Sequence, residues 1–317
     1  MRNKVILITG GTGSFGKAFL KECLTKDVKQ VRIFSRDELK QAQLKEEIND
    51  PRVEYLCGDI RDKERLEVAL EGVDIVIHAA AMKRIEKAER DPQEAIKTNV
   101  LGSVNVVNAC LKMNVKNAIL ISTDKAVYPV NLYGATKLTA EKVWIQSNTY
   151  RGSKPTKFSV VRYGNVFGSR GSVIHAFKQN PIIKVTDPEM TRFFITLQQA
   201  CDLVQVAVEE QQGGEIYIPQ LKATSILRLA QHIAGSKPIE ISSQRGGEKL
   251  HEVLYTGEEN SRRSLDSRGF SVIHPEITTW PYIKPDFNSP SYFEPETSGT
   301  AVQYSDKELE KLLASIS

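Results

Sequence analysis

Short runs of apolar, mostly β-branched residues recur along the first half of the chain. Each is followed by a longer stretch in which apolar positions return every three or four residues. The runs are VILIT (5–9), VRIF (31–34), VEYL (53–56), DIVIHAA (74–80) and NAILIS (117–122), and KFSVVRY (157–163) continues the series. Runs this short, bounded by polar residues, predict strands buried on both faces, and the segments between them, such as 15–26 and 91–113, carry the helical period. Parallel strands joined by helical, right-handed crossovers give an α/β fold, a doubly wound parallel sheet. A further core helix is predicted over 197–210.

Beyond Arg162 the pattern breaks up, with Gly164, Gly168, Gly171, Pro181, Pro188, Gly213 and Gly214 interrupting shorter elements. The reading therefore places the main domain at 1–163, completed by about 190–212, and a smaller part at 164–189 and 213–280. The latter covers the carboxyl edge of the sheet, where open α/β sheets bind ligands. A tail follows at 281–317, irregular through Pro285, Pro290 and Pro295 and ending in a charged helix over 305–314 that packs on the surface or on a second subunit.

Composition narrows the partners. A chain of 317 residues with 40% hydrophobic content has enough apolar side chains for a sizeable core. Its 43 basic and 39 acidic residues leave a net charge of +4, and the two signs are interspersed, which argues against nucleic acid as a partner. No apolar run reaches the length of a membrane span and the N-terminus lacks a signal-peptide profile, so a cytoplasmic protein is expected. Cys23, Cys57, Cys110 and Cys201 lie far apart among apolar residues, which predicts buried free thiols and no metal site.

Chemistry begins with TGGTGSFG (9–16) between the first strand and its helix. Glycines three residues apart allow a tight turn and close backbone approach, while the helix N-terminus offers free N–H groups to a pyrophosphate. Gly10, Thr12, Gly13, Ser14, Phe15 and Gly16 are the resulting cofactor candidates in this dinucleotide-binding (Rossmann) arrangement. The second strand ends in Ser35-Arg36-Asp37: a guanidinium and a hydroxyl suit the 2′-phosphate of NADP. Asp37 either serves the ribose of NAD or, with Glu38, charges a helix N-terminus; the arginine favours NADP. Asp59, followed by Ile60 in CGDIRD, is either an acceptor for the adenine amino group or a helix N-cap.

The segment TDKAVYPVNLYGATK (123–137) concentrates reactive side chains. Tyr133 and Lys137 are four residues apart and share a helix face. A nearby ammonium favours the phenolate, so Tyr133 can take a proton from a hydroxyl as hydride leaves the same carbon for a nicotinamide. Ser122 and Thr123, at the preceding strand end, supply the accompanying hydroxyl.

Together TGGTGSFG, CGDIRD, HAAAMK, KTNVLGS, STDKAVYPVNLYGATK, VRYGNVFGSRGSVI, MTRFFIT and RGGEKLHEVL resemble the extended short-chain dehydrogenases/reductases acting on nucleotide sugars, over nearly the whole length. Thr-Asp-Lys-Ala before Tyr-Gly-Ala-Thr-Lys, with FSRDELKQ (34–41), resembles the inverting UDP-N-acetylglucosamine 4,6-dehydratases. Retaining dTDP-glucose dehydratases carry Asp-Glu at this place, and simple 4-epimerases lack the pair. The resemblance implies a UDP-sugar partner, oxidation at C4, elimination of water across C5 and C6, reduction at C6, and reprotonation of C5 on the opposite face. Elimination needs an acid and a base. Asp124 fits the acid if burial keeps it protonated, and Lys125 the base if desolvation and neighbouring cations bring its pKa from about 10.4 towards 7 or 8. The bland alternative for the pair is a solvated loop ion pair. The family also implies assembly into homo-oligomers through its Rossmann-face helices.

The remaining candidates surround that segment. Ala79, Ala80 and Ala81 are small enough to let the cofactor pass, with Met82 and Lys83 facing the sugar. Asn99 either orders water or backbone at the site or ties a helix. Asn165, by resemblance, contacts the sugar or diphosphate. Arg192 and Arg245 offer guanidinium forks to the diphosphate or form surface ion pairs. Glu248 and His251 match the family's text and either touch substrate or hold the smaller part together. His78, in an apolar strand, reads as a core histidine.

Overall fold

The structure is a computed structural model that describes residues 1–242, 246–266, 268–285 and 295–315. Its strands form where the apolar runs predict them: β1 (Val5–Thr9), β2 (Gln30–Ser35), β3 (Val53–Cys57), β4 (Ile75–His78), β5 (Asn117–Ile121) and β6 (Lys157–Val161). Shorter strands follow at β7 (Asn165–Val166), β8 (Ile183–Val185), β9 (Thr191–Ile195), β10 (Ile216–Ile218), β11 (Ala223–Ser225), β12 (Ile239–Ile241), β13 (Arg263–Leu265) and β14 (Ser271–Ile273). The main sheet has nine strands in the order β13-β14-β10-β6-β5-β4-β1-β2-β3, parallel from β3 to β10 and antiparallel at β14 and β13. The chain runs outward from β1 to β3 and then returns to place β4 on the other side of β1. That reversal opens a crevice at the carboxyl ends of β1 and β4, where such sheets bind ligands.

The helices are α1 (Ser14–Leu24), α2 (Glu38–Glu47), α3 (Lys63–Leu70), α4 (Ile85–Arg90), α5 (Pro92–Ile96), α6 (Gly102–Lys112), α7 (Leu132–Gln146), α8 (Val173–Gln179), α9 (Leu197–Glu210), α10 (Ile226–Ala234), α11 (Gly257–Asn260) and α12 (Asp306–Ala314). Helices α3, α6 and α7 pack side by side, and α1 packs on α9. The core around the sheet is mostly apolar: Ile6, Leu7, Ile8, Ile33 and Phe158 of the strands and Phe19 of α1 are fully buried. A second core, with Phe177, Ile183, Phe194 and Leu229, fills the smaller part. There β9 pairs with both β7 and β11, and β8 with β12.

Three features differ from the sequence expectation. The helix predicted over 91–113 is interrupted by a π-turn at Lys97–Leu101, which carries the buried Asn99. Wide turns of this kind gather at functional sites because they re-aim one side chain without ending the helix. The domain boundary drawn from glycine and proline positions cuts through the sheet, since β10, β13 and β14 belong to it. A glycine marks a turn, and turns also connect core strands. Finally, Cys57 is exposed while Cys23, Cys110 and Cys201 are buried and free. The tail expectation falls partly outside the described residues; within them, Gln303 pairs beside Ala223 and α12 is tied to the smaller part by Asp306 to Arg228 at 2.6 Å.

Candidate active site

The crevice is assembled first from β1 and β4. Gly10 follows β1 with φ of 65°, a left-handed conformation, and a Cβ there would lie 2.9 Å from the Ala80 backbone. Only glycine lets the two strand ends approach this closely. Thr9 locks the contact: its Oγ1 accepts from Ala80 N at 3.2 Å and meets His78 Nδ1 at 2.7 Å. His78 also reaches Ser103 at 3.1 Å and stacks on Trp144, and burial brings its pKa down to about 3. It is a neutral core histidine, as the apolar strand predicts.

Helix α1 opens at Gly13 with no side-chain cap, so its first-turn N–H groups face the crevice without a side-chain acceptor. Thr12 and Phe15 are buried beside them, and Gly16 has no room for a Cβ against Gly11. A pyrophosphate fits this cradle, because the donors and the dipole end are present and Gly10, Gly13 and Gly16 bring no side chain into it. At the end of β2, Ser35 accepts from Gln41 at 3.0 Å, and the Arg36 side chain is 61% exposed with Asp59 at 3.5 Å. Asp37 is the N-cap of α2, accepting from Lys40 N at 2.9 Å and pairing with the Lys40 ammonium. Asp59 holds Arg61 through its backbone N–H at 2.9 Å and its guanidinium at 2.7 Å. The cap of α3 is Asp62, which removes the capping alternative for Asp59. Ile60 is buried, and Ala79, Ala80 and Ala81 are half-buried along the crevice.

The smaller part supplies a residue that the sequence reading missed. Arg170 donates its backbone N–H to Ser14 Oγ at 3.1 Å and its guanidinium to the Thr12 carbonyl, so a cation sits on the glycine turn. Lys83, exposed in the same cleft, is held below the ordinary lysine pKa by its desolvating surroundings and by Arg170. GSRGS gave no hint of this, because the partners lie more than a hundred residues upstream.

The reactive segment leaves β5 through Thr123, which caps a single 3-10 turn at Asp124–Ala126. Asn131 then caps α7, accepting from Gly134 N at 2.8 Å. A Cβ on Gly134 would fall 2.2 Å from the Lys125 carbonyl, so glycine at this position lets the helix abut the turn. Tyr133 is thereby placed on the Thr123 hydroxyl. Burial raises the Tyr133 pKa to about 12; Lys125 opposes the rise and Asp124 adds to it. The sequence reading gave the role of neighbouring ammonium to Lys137. In the structure that ammonium is Lys125, and Lys137 donates to the Ile121 carbonyl at 2.7 Å. Burial lowers the Lys137 pKa to about 8 against the opposing pull of Glu141.

Asp124 is fully buried. Its Oδ1 accepts from Thr123 Oγ1 at 2.9 Å and Lys125 Nζ at 3.0 Å, and its Oδ2 has no hydrogen-bond partner among the described residues. Burial raises its pKa, Lys125 lowers it and Glu252 raises it again, with a net upward shift. That is the direction an acid needs. Lys125 departs from expectation. Burial pulls its pKa down, but Asp124 and Glu252 together outweigh burial and hold it above the ordinary lysine value. Its Nζ meets three acceptors: Asp124 Oδ1 at 3.0 Å, Asn165 Oδ1 at 3.1 Å and Glu252 Oε1 at 3.4 Å. The solvated ion pair of the bland reading is also excluded, since the Lys125 side chain is 17% exposed and that of Asp124 is 0% exposed.

Glu252 is the main omission of the sequence reading, which weighed Glu248 and His251 in the same stretch. Burial raises its pKa, but Lys125, Lys249 and Arg192 prevail and keep it below the usual glutamate value. Lys249 lies at 3.1 Å and Arg192 at 3.9 Å from its carboxylate. The Arg192 guanidinium is buried and donates to the Thr191 and Leu250 carbonyls at 2.7 and 3.2 Å. It therefore faces the protein interior, in contrast to the open fork expected for a diphosphate. Glu248 accepts from Thr186 at 3.4 Å, and His251 meets Thr191 at 2.8 Å. Arg245 lies outside the described residues. Asn99 clamps the backbone at Met82, accepting its N–H at 2.7 Å and donating to its carbonyl at 3.0 Å, and reaches Thr136 at 3.0 Å. It orders backbone, one of the two roles foreseen.

Beneath the cluster, Arg162 is 1% exposed and joins three elements. It pairs with Glu141 of α7 at 2.6 Å and Glu259 of α11 at 2.8 Å, and donates to the Leu254 carbonyl at 2.9 Å. Ser122 hydrogen-bonds Glu141, which turns it away from Tyr133 and leaves Thr123 as the site hydroxyl.

A glycine turn at a topological switch point, with a tyrosine and lysine on the helix behind β5, defines an extended short-chain dehydrogenase/reductase. Residues 6–273 match the model of a family described as polysaccharide biosynthesis protein, and the chain belongs to that family of enzymes. It is 46% identical over 280 residues to a UDP-N-acetylglucosamine 4,6-dehydratase (inverting) of Campylobacter jejuni, covering 86% of this chain and 84% of the relative. It is 43% identical over 272 residues to a UDP-glucose 4-epimerase of Rickettsia felis, covering 82% and 80%. Among solved structures it matches Pen from Bacillus thuringiensis with a TM-score of 0.91 at 35% identity, over 99% of this chain and 98% of the other. The dTDP-glucose 4,6-dehydratase DesIV of Streptomyces venezuelae, solved with NAD, shares the fold with a TM-score of 0.70 at 21% identity, over 78% and 86%.

Proposed function

We propose that the protein removes water from UDP-N-acetylglucosamine across C5 and C6 after oxidation at C4, and inverts C5. The product is a UDP-2-acetamido-2,6-dideoxy-L-arabino-4-hexulose, an early intermediate for 6-deoxy sugars. The observation that carries the reading is the buried Asp124–Lys125 pair beside Tyr133 at the carboxyl end of β5. A simple epimerase needs a tyrosine there and has no use for a buried acid with a free carboxyl oxygen.

Bound NADP supplies the acceptor for hydride from C4 and its donor to C6. The protein's own residues move the protons. Tyr133, oriented by Thr123, takes the C4 hydroxyl proton once it has lost its own, a loss that the Lys125 ammonium favours against burial. Asp124 gives its proton to the C6 oxygen, so that the C6–O bond breaks and water leaves as the C5–H bond breaks. Lys125 handles the proton at C5: as the ammonium that Asp124 and Glu252 favour it is the donor for reprotonation, and it takes a proton only after releasing its own. We assign Lys137, on the same helix and with its pKa brought down by burial to about 8, to the proton path behind Tyr133.

The preference for NADP rests on side chains already described. Asp37 is engaged as a helix cap, which leaves the exposed Arg36 to meet the 2′-phosphate, with Ser35 behind it. Asp59 and Ile60 take the adenine side, Ala79 to Ala81 the nicotinamide side. Met82, Lys83, Asn165 and Glu248 are the proposed sugar and diphosphate contacts. We assign the protein to the cytoplasm as a homo-oligomer; among the described residues no helix is long and apolar enough to cross a membrane.

The named epimerases among the relatives support a second reading, nucleotide-sugar epimerisation, because their identity is only slightly lower. Incubating the protein with NADP and a panel of UDP-sugars, followed by mass spectrometry, separates the two. Loss of one water from UDP-N-acetylglucosamine is expected. A product of unchanged mass with altered chromatographic mobility would overturn the dehydratase reading.

A further inference from the structure

We propose that Glu252 is a positioning residue for Lys125: its carboxylate fixes the Lys125 nitrogen and keeps it charged, so that proton exchange at C5 is governed from the smaller part of the molecule. The proposal rests on Lys125 acting at C5, as above.

Geometry carries it. An ammonium has three N–H donors and no acceptor, whereas a neutral amine has two donors and a lone pair. The Lys125 nitrogen faces acceptors on three separate elements: Asp124 on its own turn, Asn165 on β7, and Glu252 on the segment preceding α11. Three acceptors match an ammonium; an amine would turn its lone pair on one of them. The charged groups facing Lys125 are Asp124, Glu252 and, with opposite effect, Arg192 on β9. Tyr133 on α7 is a further titratable neighbour, and Lys249 shares the Glu252 carboxylate. Without Glu252, only Asp124, whose own pKa is shifted upward, would stand against burial and Arg192.

Glu252 is itself held in place. Its backbone N–H donates to Ser298 Oγ at 2.9 Å, and its carbonyl accepts from Ser298 N at 2.8 Å. Ser298, fully buried, also meets Thr191 Oγ1 at 2.7 Å. The Glu252 backbone is thus anchored by the tail, and its carboxylate by Lys249 and Arg192, independently of Lys125.

The test compares wild type, Glu252→Gln and Glu252→Asp. Removing an opposite charge at this range lowers a lysine pKa by about one to three units. The shift has the same sign whether Lys125 gives or takes a proton. For Glu252→Gln, the pH limb governed by Lys125 in kcat for UDP-N-acetylglucosamine is expected to move to lower pH by that amount, with KM within about threefold of wild type. Glu252→Asp should return the limb to within about half a unit of wild type. A direct readout that needs no activity is the pH titration of the Lys125 Cε resonance in protein labelled with carbon-13 lysine, which should shift in parallel. If Glu252→Gln fails to fold, the double variant Glu252→Gln, Lys249→Met removes a cation with the carboxylate, and a smaller shift of the same sign is expected. An unmoved Lys125 titration in a folded variant overturns the proposal. A moved titration in a protein that does not dehydrate the sugar supports the Glu252 assignment and overturns the functional reading alone.

Discussion

The cofactor cradle and the reacting cluster occupy the carboxyl ends of one sheet, yet they are built in different ways. The cradle is local: residues 9–16 supply the turn, the close approach and the helix end, and its geometry follows from one left-handed glycine packed on Ala80. The cluster is dispersed. It takes Asp124 and Lys125 from one turn, Asn165 from β7, Arg192 from β9, and Lys249 and Glu252 from the segment before α11. A site made of backbone is decided by spacing along the chain. A site made of buried charge is decided by the full set of neighbours, and a single distant carboxylate can reverse the expected titration of a lysine.

The two regions should fail separately. Asp124→Asn removes the proton for the C6 oxygen and leaves the glycine turn intact, so kcat for dehydration should fall by about 10² to 10⁴-fold, the usual contribution of a general acid. Affinity for NADP, measured by fluorescence titration, should stay within about twofold. An equal loss of cofactor binding would show that the regions are not independent.

Arg162 tests what holds them together. Arg162→Met strands two buried carboxylates, Glu141 and Glu259, and should cost about 3–5 kcal/mol in urea unfolding at neutral pH. The pH dependence has a definite sign. Burial raises the Glu259 pKa, but Arg162 overrides it and brings it to about 2 from an ordinary 4.5. This depressed value contributes stability that is fully present above 4.5 and lost as the pH falls through about 2. The gap between wild type and Arg162→Met should therefore narrow across that window; a gap independent of pH would contradict the pairing.

The smallest effect belongs to the cradle's rim. Arg36→Ala should weaken NADP by about 10 to 100-fold, the loss of roughly 1.5–3 kcal/mol of charge-assisted hydrogen bonding, and leave NAD within about threefold by calorimetry. Equal weakening of both cofactors would assign Arg36 to the ribose or the adenine.

Much of the fold was legible because buried parallel strands have no polar face and so appear as uninterrupted apolar runs. The π-turn was not, since its extra residue leaves the apolar period of 91–113 nearly unchanged. The smaller part was misdivided because β10 and the β13–β14 hairpin, three residues per strand, are too short to announce themselves. In the site, the positions of Thr123, Asp124 and Tyr133 were legible from a strand end and a capped helix. The charge of Lys125 was not, because Glu252 lies outside any local motif, and Arg192 was misread because an arginine in a fully buried strand spends its guanidinium on carbonyls. Arg170 escaped notice for the same reason of distance.

The most direct test of the account is to follow UDP-N-acetylglucosamine with the purified protein and NADP in deuterated water by proton and carbon NMR. The account predicts loss of one water, deuterium at C5 and an L-arabino 4-keto product. A C4 epimer retaining protium at C5, or a deuterated product with its C5 configuration unchanged, would contradict it.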